Sequence, residues 1–118
     1  MDALLKLKRI FQKDIKELIE WFIIDSEKKI TALEFAIRHN NQKQMLTVLR
    51  ELRAQSNEIG AISFGYLCLN IELRIAEYQV HQTDKLFERL KRAYAQLKDE
   101  ALKIYAELTS KSNLKTLT

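Results

Sequence analysis

The side chains able to do chemistry are few in this chain. His39 and His81 are the only histidines and Cys68 the only cysteine. Each histidine falls near an expected helix junction, where a lone imidazole reads as solvated polar surface rather than a ligand or a base. Helical bundles that hold two metals use Glu-x-x-His pairs, and no such pair is present. Gly60 and Gly65 are the only glycines, so there is no Gly-rich loop to cradle a phosphate. One cysteine excludes both an internal disulfide and a Cys-based zinc cluster. Cys68 lies on an apolar stripe and reads as a small buried hydrophobe. No metal, no cofactor and no catalytic residue is expected.

What must position these residues is a helical scaffold. The chain has 118 residues, no Pro, 47% hydrophobic and 31% charged residues, which suits one domain and argues against an all-β fold. Twenty basic residues are interleaved with sixteen acidic ones, giving a net charge of +4. A pI of 9.2 admits nucleic-acid binding, but no basic stripe interleaved with aromatics supports it. No apolar run approaches the roughly 18 residues that a membrane span needs. The N-terminus lacks the apolar core and small-residue cleavage site of a signal peptide. An unpaired cysteine fits the reducing cytoplasm, which is the expected location.

Periodicity predicts four main helices and a short leader over 2–12, too short to be stable undocked. The segment 13–39 has a stripe of Ile15, Leu18, Ile19, Phe22, Ser26, Ile30, Leu33 and Ile37, ended by Asn40 and Asn41. The next, 42–58, has Met45, Val48, Leu49, Leu52, Ser56 and Ile59, stopped by Gly60. The third, 61–79, has Phe64, Leu67, Cys68, Ile71, Ile75 and Tyr78, with Gly65 inside it where a neighbouring helix could approach closely. After a short linker, Thr83 is a plausible N-cap, and 84–108 carries Phe87, Leu90, Tyr94, Leu97, Ala101, Ile104 and Leu108. Residues 109–118 are polar without a stripe and are expected to fray. Short linkers make neighbours antiparallel. The expected architecture is an all-α, up-down four-helix bundle, one domain over 1–108, capped by the leader.

The stretch 46–72, LTVLRELRAQSNEIGAISFGYLCLNIE, resembles the histidine-containing phosphotransfer domain of phosphorelays. That family reads His-x-Leu-Lys-Gly-Ser, then Leu-Gly-Ala, then an amphipathic run with Leu-Cys and Leu-Glu. Here Ile59-Gly60-Ala61 matches Leu-Gly-Ala, and Leu67-Cys68 and Ile71-Glu72 match the amphipathic run. Counting back, Leu52 matches the motif Leu, Arg53 stands for Lys and Ala54 for Gly. Arg50 falls at the position of the phospho-accepting histidine. Upstream, 22–37 is similar to the family's preceding helix, and the resemblance covers about 15–108. The fold it implies is the bundle already read from periodicity.

The departure at Arg50 bears on function. A phosphoryl acceptor needs a lone pair, which imidazole has near neutral pH and guanidinium lacks. His39 lies across a helix junction, about 12 Å or more from Arg50 at 1.5 Å rise per residue. His81 lies in the opposite connection. The resemblance with this departure implies a pseudo-phosphotransfer module that binds a response-regulator receiver domain, or a hybrid histidine kinase carrying one, without accepting phosphate. Leu46, Arg50, Arg53 and Asn57 recur at steps of three and four beside the buried stripe. An exposed Leu46 next to the arginines makes a mixed apolar and basic face, which Ile23, Ile24 and Glu27 of the preceding helix are expected to extend. The arginines suit the acidic, apolar-rimmed pocket of a receiver.

Other readings stay open. Arg50 and Arg53 can be plain surface charges on a domain that has lost its chemistry. Phosphate can be relayed through His39 or His81 as a non-standard acceptor. The chain can instead be a structural or interaction bundle unconnected to phosphorelays, with Trp21, Ile24 and Phe35 as interface residues. The simpler account of Trp21 is packing under the leader. A monomer is expected, without membrane insertion and without nucleic acid.

Overall fold

The computed structural model describes residues 12–77 and 83–117. The expected leader (save its last residue), Tyr78 and His81 lie outside them. The described chain is all helix: α1 is Gln12–Arg38, α2 Gln42–Glu58, α3 Ile62–Ala76 and α4 Thr83–Leu117. Each helix packs on two neighbours, in the cyclic order α1, α2, α3, α4, which is a four-helix bundle.

The turns form for the reasons the sequence offers. Asn40 takes a left-handed φ of 52°, which Asn tolerates better than most residues. Asn41 caps α2, its side-chain oxygen accepting from the Gln44 amide at 3.1 Å. Gly60 turns the chain at φ 80°, and the Ala61 amide then donates back to the Ser56 carbonyl at 2.7 Å. These two tight junctions hold α2 antiparallel to both α1 and α3.

The stripes meet in one main core. Phe22 and Leu33 of α1, Met45, Leu49 and Leu52 of α2, Cys68 and Ile75 of α3 and Leu90 of α4 are essentially inaccessible to water. A smaller cluster of Ile15, Ile19, Ala101 and Leu108 joins α1 to α4 beyond the reach of α2 and α3. Buried hydroxyls on the stripes are satisfied, within a helix or across to its neighbour. Ser56 donates to the Leu52 carbonyl at 2.7 Å, and Ser26 shares a 2.8 Å hydrogen bond with the Tyr94 hydroxyl. α4 continues to Leu117, past Leu108, where the stripe ends and the polar sequence predicts fraying. With no Pro or Gly in this stretch, nothing breaks it earlier, and Thr109 donates to the Tyr105 carbonyl at 3.0 Å.

Candidate functional site

The site grows from the flank of α2 that turns toward α3. Arg53 and Asn57 follow one another on that flank, and Arg50 lies further out toward solvent. Across from them, Glu72 is carried by α3 next to the core residue Ile71 and is buried to 7% side-chain exposure. Arg53 grips it with two prongs: Nε donates to Oε2 at 2.8 Å and Nη2 to Oε1 at 3.2 Å. The fork geometry of guanidinium matches carboxylate in just this way. Arg50 approaches the same carboxylate only loosely, Nε to Oε1 3.6 Å, and its side chain stays 64% exposed. Two cations share one anion, so the trio carries a net positive charge directed outward.

Below the trio, toward the Gly60 turn, an open groove of about 340 Å³ runs between the helices, lined by Arg53, Asn57, Ile62, Gly65, Tyr66 and Leu69. Gly65 of α3 faces the Asn57 side chain across this groove. A Cβ there would stand 2.6 Å from the Asn57 side-chain oxygen. Ile62, Tyr66 and Leu73 project outward from α3 and are more than half exposed, forming an apolar stripe beside the arginines.

Only part of the expected face is assembled. Leu46 is half-buried against the core rather than exposed, because its side of α2 faces α3. The α1 residues do not join the arginines. Ile23 packs on the core, and Glu27 accepts a hydrogen bond from the Lys98 ammonium of α4, on the other flank of α1. Ile24 points to solvent. What α1 presents to α2 is a separate polar network. Lys29 donates to Asp25 at 2.7 Å, lies 3.8 Å from Glu51, and Gln55 also donates to Asp25. The hydrogen bond from Lys29 holds the Asp25 carboxyl below its ordinary range, against the opposing effect of burial.

The remaining reactive groups do not converge on this site. His39 stacks on Phe35 with ring centroids 4.0 Å apart, at the end of α1, and its Nδ1 lies 2.8 Å from the Phe35 carbonyl. Cys68 is buried as expected, its thiol pushed up to about 12 mainly by burial and then by Glu72. Trp21 is half exposed. Among the described residues no group of three or more His, Cys, Asp and Glu is placed to hold a metal, and no helix is long and apolar enough to cross a membrane. Glu72 is visible in the sequence only as the last residue of a motif. Its role as the anchor of Arg53 needs the facing helix.

Comparison with known proteins agrees with this architecture. The helices have the fold of a histidine-containing phosphotransfer bundle. The crystal structure of histidine-containing phosphotransfer protein B (HptB) from Pseudomonas aeruginosa PAO1 superimposes with a TM-score of 0.83. The match covers 90% of this chain and 92% of that one, at 17% sequence identity. At that identity the likeness is one of fold. No known family model matches the sequence, and no curated protein does.

Proposed function

We propose that this chain is a pseudo-phosphotransfer signalling module, which docks on a receiver domain, free or within a hybrid histidine kinase, without accepting phosphate. The observation that carries the reading is Arg50. It stands exposed on α2, at the place where the motif puts a histidine, and a guanidinium has no lone pair to attack phosphorus. What it retains is the ability to bind an anion. A bundle of this fold with a cation at that place competes for a receiver's acidic pocket instead of relaying its phosphoryl group. The cytoplasm is where such a partner resides.

The test mixes the chain with phosphorylated receiver domains and follows both label and binding. The reading expects binding to at least one receiver and no acid-labile, base-stable label on the chain. Arg50→Glu weakens that binding. Arg53 is unsuited to the same test, since Arg53→Glu would set a second carboxylate beside buried Glu72. Label lost on replacing His39 or His81 would mean active phosphotransfer. Absence of binding to any receiver removes the phosphorelay assignment.

A second reading is favoured by the outward stripe of Ile62, Tyr66 and Leu73. Apolar side chains in a row on one helix mark an interaction surface of another kind. Sedimentation at several concentrations, with Tyr66→Glu as control, separates self-association from receiver binding.

A further inference from the structure

We infer that Arg50 is a phosphoryl-binding residue, so that the module prefers the phosphorylated form of its receiver over the resting form. The inference rests on the receiver-binding reading above and adds the chemistry of what Arg50 meets.

The argument begins with Glu72. Both of its oxygens already accept from Arg53, at 2.8 and 3.2 Å. Arg50 has Glu72 as an ion-pair neighbour, but its Nε stands 3.6 Å from Oε1, beyond hydrogen-bond distance. Its guanidinium is held near the surface by α2, which is fixed from below by buried Met45, Leu49 and Leu52. The Arg53–Glu72 pair, with side-chain exposures of 35% and 7%, is the inner, satisfied part of the cluster. Arg50 is the outer part, hydrated rather than closely paired, and one positive charge remains over.

Docking a partner on this face strips water from Arg50. A desolvated cation is costly unless an anion replaces the water. A carboxylate offers two oxygens and one charge. Its phosphorylated form offers three terminal oxygens and approaches two charges, arranged for a guanidinium fork. Ala54, exposed one helical turn beyond Arg50 where the motif has Gly, adds a single methyl beside it, a mild obstacle to approach. No bond forms or breaks in this step. The phosphoryl group stays on its carboxylate because nothing on Arg50 can attack it.

The test is a calorimetric titration of the whole chain with receiver domains, each resting and each loaded with beryllofluoride as phosphoryl mimic. Wild type is expected to bind the loaded form about tenfold more tightly. In Arg50→Gln the two affinities converge, while Arg50→Lys keeps part of the difference through its charge. Unchanged urea midpoints show that the variants are folded. Equal affinities in wild type, a preference for the resting form, or a preference that survives Arg50→Gln overturns this inference and leaves receiver binding standing. Failure of every receiver in both states removes the receiver reading and this inference with it.

Discussion

Arg53 and Glu72 are joined across the α2–α3 interface by a two-pronged ion pair, 2.8 and 3.2 Å, in which the carboxylate is the buried partner. The asymmetry of burial decides which substitution hurts. Removing Arg53 strands a carboxylate with 7% exposure beside Cys68 and Ile71, with only loosely placed Arg50 to compensate. Removing Arg50 deletes a mostly solvated charge. Arg53→Ala is therefore expected to cost about 2–3 kcal/mol. Arg50→Ala is expected to cost less than about 0.5 kcal/mol. Urea denaturation of the two variants measures both. Equal losses would show that the two arginines share Glu72 evenly.

Gly65 sits inside α3, where Gly costs about 1 kcal/mol of helix propensity relative to Ala. An added Cβ meets the Asn57 side-chain oxygen at 2.6 Å, while the Arg53 carbonyl, at 3.8 Å, is at ordinary contact distance. The obstacle is thus the end of an exposed, rotatable side chain. Gly65→Ala is expected to stabilise the fold by somewhat less than the full propensity gain. In an Asn57→Ala background the same change is expected to give the whole of it, about 1 kcal/mol, or roughly 3–5 °C in Tm. Thermal unfolding of the four proteins in this cycle checks the non-additivity.

The buried faces are readable because helical periodicity alone defines them. Met45, Val48, Leu49, Leu52, Ser56 and Ile59 all lie in the interior. Asn40, Asn41 and Gly60 are readable because left-handed backbone and capping have narrow residue preferences. The flanks are harder. Periodicity places Leu46, Arg53 and Asn57 on one side of α2 but does not say which neighbour that side meets. It meets α3, so Leu46 is half-buried and Arg53 is tied to Glu72. Nearness in the bundle groups Ile23 and Glu27 with the arginines. The rotation of α1 instead gives that flank to α4 and turns Asp25 and Lys29 toward α2. Rotation about a helix axis is fixed by packing between helices, which a single sequence does not display.

Ser26 and Tyr94 connect α1 to α4 through a buried 2.8 Å hydrogen bond. Ser26 also reaches the Phe22 carbonyl at 2.5 Å, and the Tyr94 hydroxyl lies 3.4 Å from the Ile23 carbonyl. When the shared bond is lost, Ser26 keeps the Phe22 carbonyl and, at 3.3 Å, the Ile23 carbonyl, and Tyr94 keeps the Ile23 carbonyl. Tyr94→Phe and Ser26→Ala are each expected to cost about 1 kcal/mol. The double variant is expected to cost less than their sum, since both remove the same bond. A sum that is fully additive in urea denaturation would mean the two hydroxyls act separately.

Cys68 gives the fold an alkaline limit. Burial, and next Glu72, push its thiol from 9.0 up to about 12 in the folded chain. In the unfolded chain the thiol ionises from about pH 9, while in the folded chain it stays protonated, so the unfolded state binds fewer protons. Stability then falls as pH rises between these two values, by up to about 1.4 kcal/mol per pH unit, and is unaffected below them. Tyr94, raised above 10.0 mainly by burial, acts in the same direction at higher pH. Cys68→Ala is expected to be less stable at pH 7, because the sulfur leaves a cavity, but to lose stability more slowly above pH 9. Urea midpoints of both proteins at pH 7, 9 and 10 measure the difference in slope. Parallel slopes would mean that the thiol ionises in the folded protein as readily as in the unfolded one, and that its place among Phe64, Ile71 and Ile75 is wetter than the packing shows.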